Sequence, residues 1–344
     1  MKILLGMSGG LDSTYAARNL MEQGHTVEGA ILRMHEFTDV EGAVRSAESL
    51  GIPLHVIDCT EDFDVVKADL ASAYVNGKTP NPCIVCNREV KFKRLHSFAK
   101  ELGFDKIATG HYARIVDYTL DGSTKRTFAR AKDSRKDQTY MLYRVPGEII
   151  DDLLLPLSDL VKTDVKDLAK KASLVFDERE SQEICFIPDG DYASFVESRF
   201  GKSEKGSFID EAGRVLGEHQ GVIRYTIGQR KGLGISLGER AFVTKIDAEF
   251  NTVTLSSAPI LASEVELCDM TYTAFDPPSN QIEMRVEAKV RYLASPVPAT
   301  AVLRPDGSAT VTLDIPAKSV TPGQSCVLYD GDVLLCGGFI NSSK

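Results

Sequence analysis

The sequence Gly6-Met7-Ser8-Gly9-Gly10-Leu11-Asp12-Ser13 decides how the first part of the chain folds. An apolar run at residues 3–5 precedes it and a helical pattern at residues 14–20 follows it, so the order is strand, glycine turn, helix. Glycines permit close backbone approach, and the first N–H groups of a helix attract anions. The stretch therefore predicts a phosphate-binding loop. It lacks the lysine of a Walker A loop and the spacing of the dinucleotide fingerprint.

Length and composition limit the class of protein. A chain of 344 residues with 26% charged and 43% hydrophobic residues is typical of a globular protein with two or three domains. No apolar run approaches the roughly 20 residues of a membrane span, and the first strand is not a signal peptide. We therefore expect a cytoplasmic protein with no membrane partner and reduced thiols. The net charge of −9 argues mildly against nucleic acid, although a local basic face can still bind phosphates.

The chain changes character along its length. Up to about residue 115, strand and helix patterns alternate, which predicts an α/β doubly wound parallel sheet. Ligands of such sheets bind beyond the carboxyl ends of the strands, where Gly6, Leu32 and Gly110 would meet. From about residue 200, short strands and glycine turns predict one or two small barrels. We place an α/β domain at residues 1–198, a small β domain at 199–262 and a β-barrel at 263–344.

Residues 112–144 form a less regular stretch. Two strands are predicted around the turn at residues 121–123. Basic residues gather between Lys125 and Lys136, close in sequence to the proposed site. Such a run is often only a solvated face, but its position favours phosphate contact.

The cysteines fall into two groups. Four lie in or beside apolar runs and are expected to be buried as small hydrophobes: Cys59, Cys268, Cys326 and Cys336. Cys83 and Cys86 lie in a proline-braced loop near Arg88 and Lys91, where positive neighbours and a helix N-terminus favour a lowered thiol pKa. A second Cys pair of the kind that completes a zinc site is missing. Cys185 follows a polar flank and leads into a predicted strand.

Several strings together resemble the tRNA-specific 2-thiouridylases, a family of N-type ATP pyrophosphatases, over nearly the whole chain. The strings occupy residues 6–13, 79–87 with Lys91-Phe92, 109–114, 136–138, 181–187, 225–234, 291–292 and 321–324. The resemblance implies that a PP-loop, HUP-like domain precedes two small all-β domains. It also implies ATP and Mg²⁺ as cofactors. The ATP-binding residues would be Gly6, Met7, Ser8, Gly9, Gly10, Leu11, Asp12, Ser13, Leu32 and Gly110.

The same resemblance implies a reaction. ATP adenylates the C2 oxygen of the wobble uridine, and sulfur then replaces that oxygen to give 2-thiouridine, AMP and pyrophosphate. Cys185 would carry a persulfide from a sulfur donor such as a cysteine desulfurase or a sulfur-carrier protein. Cys86 would be the second thiol, attacking the persulfide or pairing with Cys185 in a disulfide. Asp12 is the third catalytic residue that we assign.

The resemblance also implies contacts with tRNA. Asn81, Pro82 and Cys83 would face the target base. The remaining tRNA contacts would be His111, Lys136, Asp137, Gln138, Arg291, Tyr292 and Gln324. Many family members carry an aspartate where this chain has Cys83. The alternative is therefore that Cys83, Cys86 and Cys185 hold a [4Fe-4S] cluster with one open iron that binds hydrosulfide.

Two rival functions remain open from the sequence. A small-molecule adenylating ligase, such as an amidotransferase synthetase or an argininosuccinate-type enzyme, would use the same loop and give the cysteines no role. A non-catalytic RNA-binding module would keep the loop as a relic. The intact Asp12 and Ser13 argue against a relic.

Overall fold

A computed structural model describes residues 1–177, 184–235 and 240–344. The first part of the chain contains β1 (Lys2–Gly6), α1 (Leu11–Glu22), β2 (Thr26–Arg33), α2 (Val40–Leu50), β3 (Leu54–Asp58), α3 (Asp64–Val75), α4 (Pro82–Cys86), α5 (Phe92–Glu101), β4 (Lys106–Thr109), β5 (Arg114–Leu120), β6 (Ser123–Ala129), α6 (Thr139–Leu142), α7 (Gly147–Asp152), β7 (Leu153–Leu154), α8 (Lys162–Lys171) and α9 (Tyr192–Phe200). A π-helical turn, Asn87–Lys91, joins α4 to α5.

A parallel sheet lies at the centre of this domain, in the order β3-β2-β1-β4-β7. Successive residues of a strand point to opposite faces. Leu4 accordingly joins a core cluster with α5, whereas Ile3 and Leu5 join a second cluster with α1 and α8. Helices therefore cover both faces, and the predicted doubly wound sheet is confirmed. Gly6 ends the central strand, so the phosphate loop (residues 6–13) begins at the middle of the carboxyl edge.

Two all-β units follow, as predicted. The first contains β8 (Gly206–Ile209), β9 (Val215–His219), β10 (Phe242–Asp247) and β11 (Thr252–Ser256), in the sheet order β10-β11-β8-β9. The second contains β12 (Leu261–Tyr272), β13 (Ile282–Lys289), β14 (Val297–Leu303), β15 (Ala309–Lys318), β16 (Ser325–Asp330) and β17 (Val333–Ser343). Pairing of β12 with β17 closes these six strands into a barrel. The domain boundaries proposed above stay a prediction.

The β5–β6 hairpin leaves the first domain and joins the barrel. Ala129 of β6 pairs with Val333 of β17. Lys125 forms an ion pair with Asp276 at 2.5 Å, and Arg130 forms one with Glu287 at 2.9 Å. Part of the basic run singled out in the sequence therefore serves domain packing.

One predicted strand is wrong. The chain after Cys185 forms a turn, in which the N–H of Ile187 donates to the carbonyl of Ile184 at 2.8 Å. Phe186 and Ile187 bury their side chains from this turn, which explains their apolar character. Residues 181–183 of the same string lie outside the described residues. Within the part of the chain that the structure describes, no helix has the length and apolar character needed to cross a bilayer.

Candidate nucleotide and thiol site

The phosphate loop is held by backbone contacts on both sides. Gly9 has φ +78°, and a Cβ there would lie 2.6 Å from the carbonyl carbon of Gly42 at the start of α2. The carbonyl of Gly9 accepts hydrogen bonds from Ser46 Oγ at 3.2 Å and from the N–H of Asp177 at 2.9 Å. Only glycine allows this approach in this conformation. The loop is therefore fixed before any ligand arrives.

The hydroxyl groups predicted for phosphate binding lie together at the start of α1. Ser13 Oγ accepts the N–H of Ser8 at 3.2 Å, lies 3.3 Å from Ser8 Oγ and donates to the carbonyl of Gly10 at 3.1 Å. Because α1 has 12 residues, the aligned dipoles of its first turn favour an anion at this place.

A cavity of about 270 Å³ opens beside the loop. Its lining is Gly6, Met7, Ser8, Asp12, Ser13, Ala30, Ile31, Leu32, Met34, Lys91, Phe92, Leu95, Thr109, Gly110, His111 and Gln138. Gly110 approaches the loop so closely that a Cβ would lie 2.8 Å from the carbonyl carbon of Asp12. The sheet edge thus brings Leu32 and Gly110 to the loop, where the sequence placed them. Of the predicted ATP residues, Gly9, Gly10 and Leu11 are not among the lining.

Asp12 has two partners that the sequence analysis missed. Lys162 Nζ, at the first residue of α8, lies 2.6 and 2.7 Å from its two carboxylate oxygens. The hydroxyl of Tyr112 donates to Oδ1 at 2.9 Å. Lys162 is 150 residues away from Asp12 in sequence, so no local sequence pattern could predict this ion pair. A cation is therefore placed at the mouth of the phosphate loop.

The three thiols of the candidate site differ in exposure. Cys83 and Cys185 are exposed, whereas Cys86 is 4% exposed, with its Sγ 3.7 Å from Met34 Sδ. Burial raises the pKa of Cys86 to about 11, although the charge of Lys91 opposes the shift. The expected lowering is therefore wrong for Cys86, because burial outweighs the positive neighbour. The side chain of Cys185 reaches solvent, but the protein atoms around its sulfur displace enough water to raise the pKa of Cys185, and Lys91 again opposes the shift.

Lys91 connects the thiols with the cavity. Burial lowers the pKa of Lys91, but the charges of the neighbouring thiols, Cys86 first, then Cys83 and Cys185, outweigh burial and raise it. The same lysine lines the nucleotide cavity. In the sequence, Lys91 is only a near neighbour of Cys83 and Cys86, whereas the fold makes it the cation shared by both halves of the site.

The iron–sulfur alternative is not favoured by this arrangement. Among residues 1–177, 184–235 and 240–344, which include all three thiols, no group of three His, Cys, Asp or Glu side chains could hold a metal. Cys86 is also buried, with its Sγ against Met34 Sδ, while the other two thiols are exposed. A second expectation is also wrong: Cys268 is exposed, and only Cys59, Cys326 and Cys336 of that group are buried.

Some residues assigned to tRNA lie at the nucleotide cavity. His111 and Gln138 both line it. His111 Nδ1 is hydrogen-bonded to Thr109 Oγ1 at 2.9 Å, and burial, helped by Lys91, lowers its pKa to about 3. Gln138 Oε1 accepts the N–H of Tyr112 at 2.9 Å. His111 is therefore a neutral imidazole near pH 7.

The neighbour of Gln138 serves the local fold. Asp137 is 6% exposed and accepts hydrogen bonds from the N–H of Ala131 at 3.2 Å and from Thr139 Oγ1 at 2.7 Å. It fixes the turn that presents Lys136 and Gln138. Asn81 precedes α4 as its N-cap residue, Pro82 begins the helix, and Asn81 Nδ2 lies 3.5 Å from Met141 Sδ.

The remaining assigned residues lie where domains meet. Arg291 Nη2 donates to the carbonyl of Ile227 at 3.3 Å and to Thr321 Oγ1. Tyr292 has its ring centroid 6.1 Å from that of Tyr140. Gln324 Nε2 donates to two carbonyls of the Cys loop, Thr79 at 3.0 Å and Pro80 at 3.1 Å.

A glycine loop at the carboxyl edge of a parallel sheet, with a nucleotide-sized cavity beside it, defines a HUP-class nucleotide-binding domain. Family comparison agrees: a model described as tRNA methyl transferase HUP domain matches residues 1–189. Models described as tRNA methyl transferase PRC-barrel domain and aminomethyltransferase beta-barrel domain match residues 193–257 and 262–340.

Relatives that match over their full length identify the family within this class of nucleotide-binding proteins. Proteins named tRNA-specific 2-thiouridylase MnmA are 42% identical in Acetivibrio thermocellus over 98% of this chain and 99% of the relative, and 41% identical in Clostridium acetobutylicum with the same coverage. The relative of that name from Carboxydothermus hydrogenoformans is 42% identical over 98% of this chain and 97% of its own length. The chain belongs to the tRNA-specific 2-thiouridylase family, which confirms the resemblance.

Proposed function

We propose that this protein is an ATP-dependent tRNA 2-thiouridylase that converts the wobble uridine of tRNA to 2-thiouridine. The observation that supports this function best is the position of Lys91. It lines the cavity beside the phosphate loop and is also the charged neighbour of Cys83, Cys86 and Cys185. Nucleotide chemistry at the C2 oxygen and sulfur chemistry at the C2 carbon can therefore act on one substrate carbonyl without the base leaving the site.

The first half of the reaction would use the phosphate loop. ATP is the substrate, and its phosphates would bind at the start of α1, where Mg²⁺, when bound, would supply positive charge against them. Asp12 offers an oxygen ligand of the kind Mg²⁺ prefers, and Lys162 stands beside it as a counter-charge for the departing pyrophosphate. The uridine C2 oxygen attacks the α-phosphorus, the bond between the α- and β-phosphates breaks, and pyrophosphate leaves.

The second half would use the thiols. Cys185 receives one sulfur atom as a persulfide from a donor such as a cysteine desulfurase or sulfur-carrier protein, which its exposure permits. The terminal sulfur attacks C2 and AMP leaves with the oxygen. The thiolate of Cys86 then attacks Cys185 Sγ, which releases the thiocarbonyl and leaves a disulfide. The two thiols supply the two electrons, and a dithiol reductant restores them.

Burial of Cys86 sets a condition on this sequence. With its thiol 4% exposed and its pKa raised to about 11, Cys86 reacts only if α4 moves or Lys91 stabilises the thiolate. Cys83 is exposed on the first turn of the same helix, next to Asn81 and Pro82, and we assign these three residues to the target base. Our candidate tRNA contacts or supports remain His111, Lys136, Asp137, Gln138, Arg291, Tyr292 and Gln324.

Methyl transfer is the activity named in the descriptions of two family models. Thiolation is named for the full-length relatives. The thiols around Lys91 favour thiolation, because methyl transfer gives neither an ATP-cleaving loop nor a persulfide-carrying cysteine a role. A small-molecule ligase would likewise leave the cysteines unused.

Mass spectrometry of tRNA nucleosides tests the proposal directly. The purified protein is incubated with tRNA, ATP, Mg²⁺, a persulfide donor and a dithiol reductant, and we expect 2-thiouridine, AMP and pyrophosphate in equal amounts. Cys185→Ser should abolish 2-thiouridine while pyrophosphate release continues. The matched control is Cys268→Ser, an exposed thiol on β12 outside the cavity lining. Unmodified uridine in the wild-type reaction, or full thiolation by Cys185→Ser, would contradict the proposal.

A further inference from the structure

The loop that carries the thiols is held by the last domain. We call residues 79–86, in which three extended residues lead into helix α4, the thiol loop, and we call residues 321–324 the barrel clamp. The N–H of Thr79 donates to the carbonyl of Pro322 at 2.9 Å. In return, Gln324 Nε2 donates to the carbonyls of Thr79 and Pro80 at 3.0 and 3.1 Å. Three hydrogen bonds therefore join two segments that are about 245 residues apart.

The chemistry of the thiol loop explains why it needs these partners. Pro80 and Pro82 have no N–H, and each forces the residue before it into an extended conformation. The carbonyls of Thr79 and Pro80 lie outside every helix and strand of the described chain. A carbonyl can only accept a hydrogen bond, so the two N–H groups of the Gln324 amide match the two carbonyls. The orientation of this amide follows from its partners.

The backbone geometry of the barrel clamp also indicates a close fit between the clamp and the thiol loop. Gly323 has φ +90°, and a Cβ there would lie 2.9 Å from Lys78 Cβ and 3.0 Å from the nitrogen of Thr79. The two backbones thus approach as closely as glycine alone permits. A residue whose task was only to reach RNA would not require the clamp to press against the thiol loop.

The clamp is itself fixed to the central domain. Arg291 Nη2 donates both to Thr321 Oγ1 of the clamp and to the carbonyl of Ile227, at 3.3 Å for the latter. Thr79 Oγ1 also lies 3.4 Å from Thr226 Oγ1. All three parts of the chain therefore meet at the start of the thiol loop.

We propose that Gln324 is a positioning residue for the thiol loop, a role that its assignment as a candidate tRNA contact does not include. The inference rests on the proposed thiolation for its functional consequence, but not for its structural part. Asn81 occupies the N-cap position of α4, so a shift of the two carbonyls before it shifts Cys83 in the first turn and Cys86 one turn later. The barrel thereby sets the position of both thiols.

Alkylation of Cys86 in the free protein tests the structural part without ATP or tRNA. Gln324→Met keeps the length of the side chain and removes both N–H groups without adding charge. We expect N-ethylmaleimide to label Cys86 about tenfold faster, because losing these two hydrogen bonds, each of modest net value, makes local opening of the segment easier by about that factor. Gln281→Met, on the exposed surface of the barrel, should leave the rate unchanged. An unchanged Cys86 rate in Gln324→Met overturns the proposal.

Cys326 and Cys336 provide an internal check, because both are buried in the barrel. They should stay unlabelled in Gln324→Met. If they are labelled as fast as Cys86, the substitution unfolds the barrel generally and the specific positioning role is overturned.

Steady-state kinetics separate positioning from RNA contact. For a positioning residue, Gln324→Met lowers kcat for 2-thiouridine by about tenfold or more, while KM and Kd for tRNA stay within about twofold. For a direct contact, Kd for tRNA rises and kcat is retained, which would overturn the proposal. A wild-type protein that does not thiolate tRNA would refute the proposed function, yet the Cys86 labelling result would still stand.

Discussion

At the scale of single residues, the pairing of Asp12 with Lys162 places a cation at the phosphate loop. We expect Lys162→Met to slow pyrophosphate release by about a hundredfold, because it removes a charged group aimed at the charge that develops on the phosphates. The measurement is pyrophosphate release at saturating ATP and tRNA. Lys166→Met, on the exposed face of the same helix, is the matched control and should keep its activity. Equal rates of pyrophosphate release for the two variants would show that Lys162 has no role in this step.

The buried position of His111 leads to a prediction about how protein stability depends on pH. Its pKa falls from 6.5 to about 3 in the folded protein because of burial, helped by Lys91. Between these values the unfolded chain binds a proton that the folded chain does not, so stability falls as pH decreases from 6.5 towards 3. The slope is at most about 1.4 kcal/mol per pH unit.

The matching experiment compares His111→Asn with the wild type in urea unfolding at pH 7, 6 and 5. Asparagine does not titrate, so the variant should lose less stability over this range than the wild type. His25→Asn, a histidine outside the cavity lining, is the control and should follow the wild type. Parallel curves for all three proteins would show that His111 is not kept neutral by the fold.

Much of the residue-level site follows from sequence because it is local or lies at the sheet edge. The phosphate loop is contiguous, and Leu32 and Gly110 follow from the rule that parallel strands end together. Lys162 and Tyr112 could not be predicted, since they reach Asp12 from distant parts of the chain. The burial of Cys86 also needed the fold, because a list of charged neighbours does not give the cost of desolvation.

At the scale of elements, the close contact between the end of β4 and the start of α1 fixes the position of the phosphate loop. Gly110→Ala would place a Cβ 2.8 Å from the carbonyl carbon of Asp12 and 2.9 Å from the nitrogen of Ser13. We expect it to cost about 1–3 kcal/mol of stability, as overpacking does, and to weaken ATP binding by about tenfold or more. Isothermal titration with ATP and urea unfolding measure the two effects.

Gly147→Ala is the control for this substitution, because no atom lies within 4 Å of the added Cβ at the start of α7. It should bind ATP as the wild type does. Unchanged ATP affinity in Gly110→Ala would show that the loop can move away from β4 without consequence.

Most elements were predictable because their patterns are periodic, and the parallel sheet and the barrel followed from them, whereas the two-residue edge strand β7 was not predicted. The segment after Cys185 was not, because two apolar residues in a row fit a strand as well as a turn that points them into the core. Helix α9 was missed for a related reason: its nine residues mix Tyr, Phe and Ser and give little helical period.

At the scale of the whole molecule, Arg144 fastens the first domain to the barrel. Its side chain is 3% exposed, its Nη2 lies 2.6 Å from Asp269 Oδ2, and its guanidinium carbon lies 4.6 Å from the ring centroid of Phe339. Asp269→Asn should cost about 1–3 kcal/mol, because it leaves a buried cation without its carboxylate. Asp314→Asn, which breaks the exposed pair with Arg285, should lower the melting temperature much less, because water screens that pair. Equal melting temperatures for the two variants would contradict this.

The number of domains could be predicted from composition and turn spacing, but their contacts could not. The β5–β6 hairpin belongs to the first domain in sequence and to the barrel in space. The local pattern of the hairpin does not show whether its edge faces solvent or a partner strand about 200 residues later in the chain. Hydrophobic alternation indicates which face of a strand is covered, but it does not identify the element that covers it.

This shared hairpin has a consequence for biosynthesis. Thr127 Oγ1 donates to the carbonyl of Leu334, 207 residues further along the chain. During translation the hairpin is therefore complete long before the strand that covers it leaves the ribosome. Until then its free edge is exposed to other nascent chains, as unpaired strands are in general. A premature stop codon that removes only β17 would thus leave the nucleotide-binding half of the protein with an uncovered, aggregation-prone edge.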